Sequence, residues 1–427
     1  MNAQELIRRL KDWVKRKTGE DLKLDACEEQ ILEYSLEGTK YKDMHIVGYA
    51  PSSVMYLKGP QLFQRIEELT EKEVNKTNCG LVLTRLLGQN GEEIKKPPTK
   101  YPRHNIKDFY GRSQELDDLE KWIVGECCRL VGIFGMTKIG KTELVKKLIE
   151  NIKEQFQYVI CKNLEDYPSL EEILTDIESC FSYINTESNI NRRINNLINN
   201  YLNQHRCLLI FYHWEEVFKT SETPENQQQN CLNYERLLSK IGTEEHKSCL
   251  IFTSLRKPEI MNLISEGKSI RELTLAGFKN EEAKALLQDF GLSNPGLEQL
   301  INQYAGHPVA LKIAAGIIQR HHNNQIDKFL EGTVFVSNIL RNLLDKQFSY
   351  LSKLEIDIMQ KLATEKEPKL LSQIYQYFPF NFQSEIILAV DKLWEIRLIE
   401  QEDIQDIRML YSLNPLIEKY IRKHYNK

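Results

Sequence analysis

The segment Gly135-Met136-Thr137-Lys138-Ile139-Gly140-Lys141-Thr142 follows the apolar run Arg129–Phe134 and opens a helical stretch through about Glu150. It matches G-x-x-x-x-G-K-[ST], and a strand before with a helix after is the context that pattern requires. The glycines let the backbone curl until its N–H groups face phosphate oxygens. Lys141 places an ammonium on the β- and γ-phosphates, and the Thr142 hydroxyl is the motif's ligand for Mg²⁺. The following helix, with Glu143 in its first turn, aims its positive end at the anion. Two blander readings compete: an unrelated glycine turn, and a relic loop that no longer holds nucleotide.

The surrounding pattern agrees with a phosphate loop. Tyr158–Cys161, Cys207–Phe211, Cys249–Thr253 and Glu272–Leu275 are further strand candidates, separated by helical stretches. Continuous apolar runs of this kind belong to a parallel sheet covered on both faces. After Gly277 helical spacing takes over, as in Ala283, Leu286, Leu287 and Phe290. From about residue 343 the pattern is a compact set of helices ending in a hairpin, Leu398–Glu400 with Met409–Tyr411, the outline of a winged helix. The Gly88–Gly91 and Lys95–Lys100 stretches have linker chemistry. The expected architecture is multidomain α/β: a helical domain over 1–95, a P-loop nucleotide-binding domain over 96–277, a helical domain over 278–342 and a winged helix over 343–427. Asn/Gln-rich stretches at 184–204 and 224–233 read as polar loops or helix surfaces.

Composition excludes several classes. The net charge of -4 is too mild to imply a nucleic-acid or membrane partner by itself. No apolar run reaches about 18 residues, so no membrane span is expected, and the charged amphipathic start is no signal peptide. The nine cysteines are scattered, with only Cys127 and Cys128 close together. That is neither a metal spacing nor a disulfide framework, and it fits a reducing, cytoplasmic setting.

More segments narrow the class. Asp108-Phe109-Tyr110-Gly111-Arg112, followed by Glu115, Leu116 and Leu119, resembles the F-x-G-R-x-x-E-L segment that opens NB-ARC domains. Gly306-His307-Pro308-Val309-Ala310-Leu311-Lys312 is similar to their G-x-P-L-A-L motif. The resemblance, to NB-ARC proteins of the STAND class of signalling NTPases, covers roughly 105–425. It implies that Phe109, Tyr110 and Arg112 border the adenine and ribose, and that Pro308 packs near the base. It implies ADP or ATP as the bound nucleotide, with ADP locking a closed state, ATP opening it, and oligomerisation on activation. The bland alternatives are a strand-leading turn and a helix-capping proline. Longer relatives end in a repeat sensor. With this sequence stopping at Lys427, the sensor is expected on a separate protein, or the amino-terminal module receives the signal.

Three departures bear on chemistry. The family's acidic residue after the third strand run is Tyr212 here, and tyrosine cannot supply the carboxylate that organises Mg²⁺ and its water. Glu215 and Glu216 lie three and four residues on, past the strand end; either one of them folds back toward the site or both are a solvated helix start, the favoured reading. After Thr253-Ser254 the family's sensor arginine is expected at 255, but Leu255 holds that place and Arg256 is one late. On a strand that shift reverses the side-chain face. The winged-helix histidine motif is replaced by Leu413-Asn414-Pro415, where Asn414 either donates to a β-phosphate or is a plain helix cap. Binding and hydrolysis thus separate: the loop amides and Lys141 remain for binding, while the acids that place Mg²⁺ look damaged. The expectation is a nucleotide-gated switch with weak or absent hydrolysis; the alternatives are a nucleotide-controlled DNA-binding regulator and an active ATPase.

At the amino terminus, Leu24–Leu36, the Gly48 turn and a helix over Ser52–Lys58 have helix-turn-helix spacing. Gly59-Pro60 is expected to break that helix before another starts at Gln61-Leu62-Phe63. The module resembles the helix-turn-helix at the start of vWA-MoxR-associated proteins. Residues 1–95 carry 15 Lys and Arg against 16 Asp and Glu, a poor footprint for phosphate-driven DNA binding. Arg8, Arg9, Lys11, Lys15, Arg16 and Lys17 form a basic first helix, usually a solvated face. A protein partner is the favoured reading, with DNA the alternative.

Overall fold

The computed structural model of the chain describes residues 3–36, 39, 44–50, 53–70, 74, 76, 79, 82–83, 109–166, 168–181, 187, 189–218, 224–264, 267–293, 295–331, 337–365, 367–404 and 408–425. They form two compact units, 1–99 with 171–201, and 100–170 with 202–427. The Gly88–Gly91 and Lys95–Lys100 linker stretches, Asp108 and the segment 40–43 lie outside the described residues.

The first unit begins with α1 (Ala3–Thr18) and α2 (Ala26–Leu36). A π-helical turn over Val54–Lys58 runs directly into α3 (Gly59–Thr70). Leu10, Ile31, Leu32, Val54, Leu62 and Ile66 close its core. Gly59-Pro60 does not break the helix, contrary to the sequence expectation. Gly59 stays right-handed and its N–H reaches back to the Val54 carbonyl, so the wider turn takes up the ring that would clash in a regular helix. The Gly48 turn is present, with φ of +85°.

The second unit opens with α4 (Ser113–Glu120) and β1 (Leu130–Gly135), all six of whose residues are buried. Then come α5 (Lys141–Ile152) and β2 (Tyr158–Asn163). Helices α6 (Leu170–Ser179) and α7 (Ile190–Asn196) follow in sequence and fall almost wholly within the stretch 171–201. The second unit resumes with β3 (Cys207–Tyr212), a 3-10 turn over Trp214–Phe218, α8 (Pro224–Thr243), β4 (Cys249–Thr253), α9 (Glu259–Ile264) and β5 (Ile270–Leu275). The five strands are parallel in the order β2-β3-β4-β1-β5. β1 therefore lies between β4 and β5, its carboxyl end opening where the strand order is interrupted, the place where open α/β sheets bind ligands.

Beyond the sheet stand α10 (Asn280–Asp289), α11 (Leu297–Gln303), α12 (Pro308–His322), α13 (Ile326–Leu330) and α14 (Asn338–Phe348). The end of the chain is α15 (Lys353–Thr364), β6 (Lys369–Leu370), α16 (Leu371–Tyr377), α17 (Gln383–Glu395), β7 (Ile399–Ile404), β8 (Arg408–Leu413) and α18 (Pro415–His424). Its antiparallel sheet, β6-β8-β7, registers Ile399 with Leu413 and Gln401 with Tyr411. A helix, a short strand, two helices and a hairpin thus follow one another, and the hairpin expected from sequence at Leu398–Glu400 with Met409–Tyr411 is present in β7 and β8. Among the described residues no helix is long and apolar enough to cross a membrane. All nine cysteines are free thiols, and no metal-binding cluster exists among the described residues.

Candidate nucleotide site

The loop between β1 and α5 curls tightly, with Gly135, Lys138 and Gly140 all at positive φ. Gly135 has φ of +135°, and a Cβ there would lie 2.7 Å from the Leu275 carbonyl oxygen, so this crossing requires glycine. Gly140 enters α5 with φ of +112°. Lys141 is buried, its Nζ donating to the carbonyls of Gly135 at 2.8 Å and Met136 at 2.9 Å. The ammonium is thus held over the mouth of its own loop. Burial lowers its pKa to about 8, opposed by the charge of Glu215.

Glu215 and Glu216 are buried, not a solvated helix start: the 3-10 turn after β3 folds them inward. The Glu215 carboxylate accepts the Leu255 N–H at 3.1 Å and lies 3.4 Å from His213 Nδ1. Burial would raise its pKa, but the His213 hydrogen bond and the Lys141 charge outweigh that and hold it below the usual carboxylate range. Glu216 pairs with Lys346 at 3.0 Å. Tyr212 ends β3 with its hydroxyl buried and without a hydrogen-bond partner. Burial, with Cys161 beside it, raises its pKa, so the position carries no charge for a cation.

Two glycines bring the helical part against the sheet. A Cβ on Gly277 would sit 1.9 Å from the Ala305 carbonyl oxygen, and one on Gly306 would sit 2.3 Å from that of Phe278. Between them the Phe278 N–H donates to the Gly306 carbonyl at 2.8 Å. This crossing seats His307 on the phosphate loop. Its Nδ1 caps α12 by accepting the Ala310 N–H at 3.2 Å, which leaves the proton on Nε2 to be donated to the Thr137 carbonyl at 2.9 Å. Burial lowers the His307 pKa to about 4, so the ring is neutral near pH 7. From α14, Gln347 Oε1 accepts the Thr137 N–H at 2.8 Å.

A cavity of about 470 Å³ lies beside the loop. Met136, Ile139, Ala276–Asn280, Ala305–His307, Arg397, Glu400, Asn414 and Pro415 are among its walls. Of the residues singled out from sequence, the cavity wall brings together Met136, Ile139 and Asn414. Asn414 also caps α18, its Oδ1 accepting the Leu416 N–H at 3.1 Å, which leaves Nδ2 as its donor. Thr137 is buried in the hydrogen-bonded loop, and Lys138 has φ of +55°. Thr142 and Glu143 stand in the first turn of α5, with Glu143 2.9 Å from Lys146. Pro308 is buried in the first turn of α12.

Phe109, Tyr110 and Arg112 are not among the cavity's wall residues. Phe109 and Tyr110 pack on the core, and the Tyr110 hydroxyl donates to Asp289 at 2.7 Å. Arg112 is a buried clamp. It donates to the Ala276 carbonyl at 2.6 Å, the Ile139 carbonyl at 3.3 Å and Glu115 at 2.8 Å, and lies 5.0 Å from the Phe278 ring. It therefore fixes the loop's far side to the end of β5 through protein contacts. Arg256, one residue past the position where a sensor arginine is expected from sequence, spends its guanidinium on Glu355 and the Tyr350 carbonyl.

Sequence reasoning passed over His307, Gln347, Arg397 and the Gly277–Gly306 crossing. Gln347 carried a signal: Leu340, Leu344 and Phe348 form the buried face of α14, and a polar residue shares that face.

A parallel sheet in the order 2-3-4-1-5 with a G-x-x-x-x-G-K-T loop joining β1 to α5 defines a P-loop NTPase fold. Residues 1–86 match the family model of the vWA-MoxR associated protein N-terminal HTH, so the chain carries that helix-turn-helix domain at its amino terminus. An uncharacterized WD repeat-containing protein of Nostoc sp. is 32% identical over 339 residues, which is 74% of this chain and 27% of that protein. The chain thus spans about a quarter of the length of that curated relative. A Walker-type ATPase of Pyrococcus abyssi aligns over 76% of this chain and 99% of its own, at 16% identity and a TM-score of 0.49. A Signal Transduction ATPase with Numerous Domains (STAND) protein with a tetratricopeptide repeat sensor, from Pyrococcus horikoshii, aligns over 76% and 44%, at 17% identity and a TM-score of 0.35.

Proposed function

We propose that this chain is a nucleotide-gated regulatory switch of the STAND/NB-ARC kind, cytoplasmic, holding ADP or ATP and turning ATP over slowly or not at all. The observation that carries the reading is the formed phosphate loop: Lys141 is poised over it, and Thr137 is hydrogen-bonded to both His307 of the helical segment and Gln347 ahead of the winged helix. A ligand in the loop therefore touches the groups that set how the later segments sit. The loop amides, Lys141 and Thr142 would hold the phosphates, and the adjoining cavity, with Asn414 and Pro415 in its wall, has the size and mixed polarity of a nucleoside pocket. Mg²⁺, when present, would rest on Thr142 and the phosphates, with no aspartate at position 212 to orient its water.

Slow turnover is argued from Tyr212 and from Glu215, whose carboxylate is spent on Leu255, His213 and the charge of Lys141. Calorimetric titration with ADP and ATP, beside a phosphate-release assay, tests both halves. The expected result is tight 1:1 binding abolished by Lys141→Ala, with ATP turnover far below the range of about 1–100 s⁻¹ typical of phosphoryl-transfer kinases. ATP cleavage within that range, lost in Lys141→Ala, would restore the active-ATPase reading.

For the amino-terminal domain we infer a protein partner in preference to DNA. Lys11 pairs with Glu29, Lys15 with Asp21 at 3.0 Å, and Lys58 with Asp25 at 3.1 Å, so these cations are already neutralised. The turn and helix start carry exposed apolar side chains, Val47 at 92%, Tyr56 at 74% and Leu57 at 55%, a surface suited to protein contact. DNA binding whose affinity falls steeply with salt would favour the alternative. Oligomerisation on activation belongs to the same reading.

A further inference from the structure

Gln347 is fully buried at the end of α14, and its side chain reaches the phosphate loop. A backbone N–H can only donate, so the amide oxygen must face Thr137, 2.8 Å away. Its Nε2 is buried without a hydrogen-bond partner, so the hydrogen bond to Thr137 is the one that holds the amide in place. The position along the phosphate chain follows from Lys141. In this motif the lysine serves the β- and γ-phosphates, and here its Nζ lies against the carbonyls of Gly135 and Met136. The next amide, that of Thr137, would then face the terminal phosphate of a bound triphosphate. Gln347 Oε1 therefore occupies a donor that a third phosphate would need, and its lone pairs would face that phosphate's negative oxygens.

We infer that Gln347 is the residue that makes this loop prefer a nucleoside diphosphate to the corresponding triphosphate; the inference rests on the nucleotide-binding reading above. A diphosphate leaves the Thr137–Gln347 hydrogen bond in place. A triphosphate would have to displace it, and with it the end of α14. That same end carries Lys346, paired with Glu216 at 3.0 Å, and two residues past the helix the Tyr350 carbonyl accepts from Arg256. The third phosphate is thereby linked to the ties that hold α14 and α15 to the sheet.

The test is calorimetric titration of the full chain with ADP and with ATP, with and without Mg²⁺, for the wild type, Gln347→Met and Gln347→Ala. Methionine keeps the volume without the hydrogen bond to Thr137; unfolding midpoints without nucleotide show which variants are folded. The wild type is expected to bind ADP about tenfold or more tightly than ATP, the worth of one hydrogen bond lost to a charged group. In the variants that ratio is expected to fall within about threefold. A structural role alone would weaken both nucleotides together and leave the ratio standing. Wild-type binding of ATP as tight as ADP, or a ratio unchanged in the folded variants, overturns the inference and leaves the nucleotide site intact. Binding of neither nucleotide by the wild type removes the site and the inference together.

Discussion

Arg256 donates to the Glu355 carboxylate at 3.0 Å, tying the loop after β4 to the first turn of α15. Glu355 is nearly buried and also closes the α15 capping box, accepting the Ser352 N–H at 2.7 Å while its own N–H reaches the Ser352 hydroxyl. One carboxylate therefore serves both as helix cap and as partner to Arg256. In a double-mutant cycle of Arg256→Ala and Glu355→Gln, urea unfolding is expected to return a coupling of about 1–2 kcal/mol, since the pair is only partly exposed. A coupling near zero would mean that the pair holds nothing together.

His307 gives the fold a pH dependence. Its folded pKa of about 4 lies below the ordinary 6.5 because the ring is buried. Between those values the unfolded chain binds the extra proton, so stability is intact above pH 6.5 and falls as pH drops toward 4, by up to about 1.4 kcal/mol per unit. His246, also lowered to about 4 by burial, adds to the slope. Unfolding midpoints from pH 7.5 to 5 are expected to fall more steeply in the wild type than in His307→Gln.

Lys141 sets the opposite limb for ligand binding. In the free protein its pKa is about 8, lowered by burial, whereas a bound phosphate favours the charged ammonium. Above pH 8 binding must recruit a proton, so ADP affinity is expected to decline by up to about tenfold per unit from pH 8 toward 10. A flat affinity across that window would show that the lysine does not meet the phosphates.

The Gly277–Gly306 crossing should tolerate no side chain. In Gly277→Ala the new Cβ would meet the Ala305 carbonyl oxygen at 1.9 Å, so the backbones must part. A loss of more than about 2 kcal/mol in stability is expected, together with weaker ADP binding, because the crossing also seats His307 on the loop. Gly267→Ala, with open space around its Cβ but a positive φ of +103°, is the control for backbone strain alone.

Much of this was legible in the sequence, and what was not has physical causes. The strands were visible because a sheet covered on both faces makes continuous apolar runs, as in Cys207–Phe211, and the loop because its chemistry admits few residue types. The buried acids were misread: charge at a helix start is usually solvated, and nothing local reveals that Lys141, 74 positions earlier in the chain, supplies Glu215 with a counter-charge. The helix across Gly59-Pro60 was misread because a π turn leaves no compositional trace. Gln347 and His307 act across long sequence separations, and only the packing of α12 and α14 on the loop brings them to Thr137.

The most direct test of the central claim is to denature the purified chain and identify what it releases by ion-exchange chromatography. Close to one ADP per chain from the wild type, and none from Lys141→Ala, is the result this account predicts. Release of no nucleotide, with no thermal shift on adding ADP or ATP to the native protein, would contradict it and leave Gly135–Thr142 a loop that has lost its ligand.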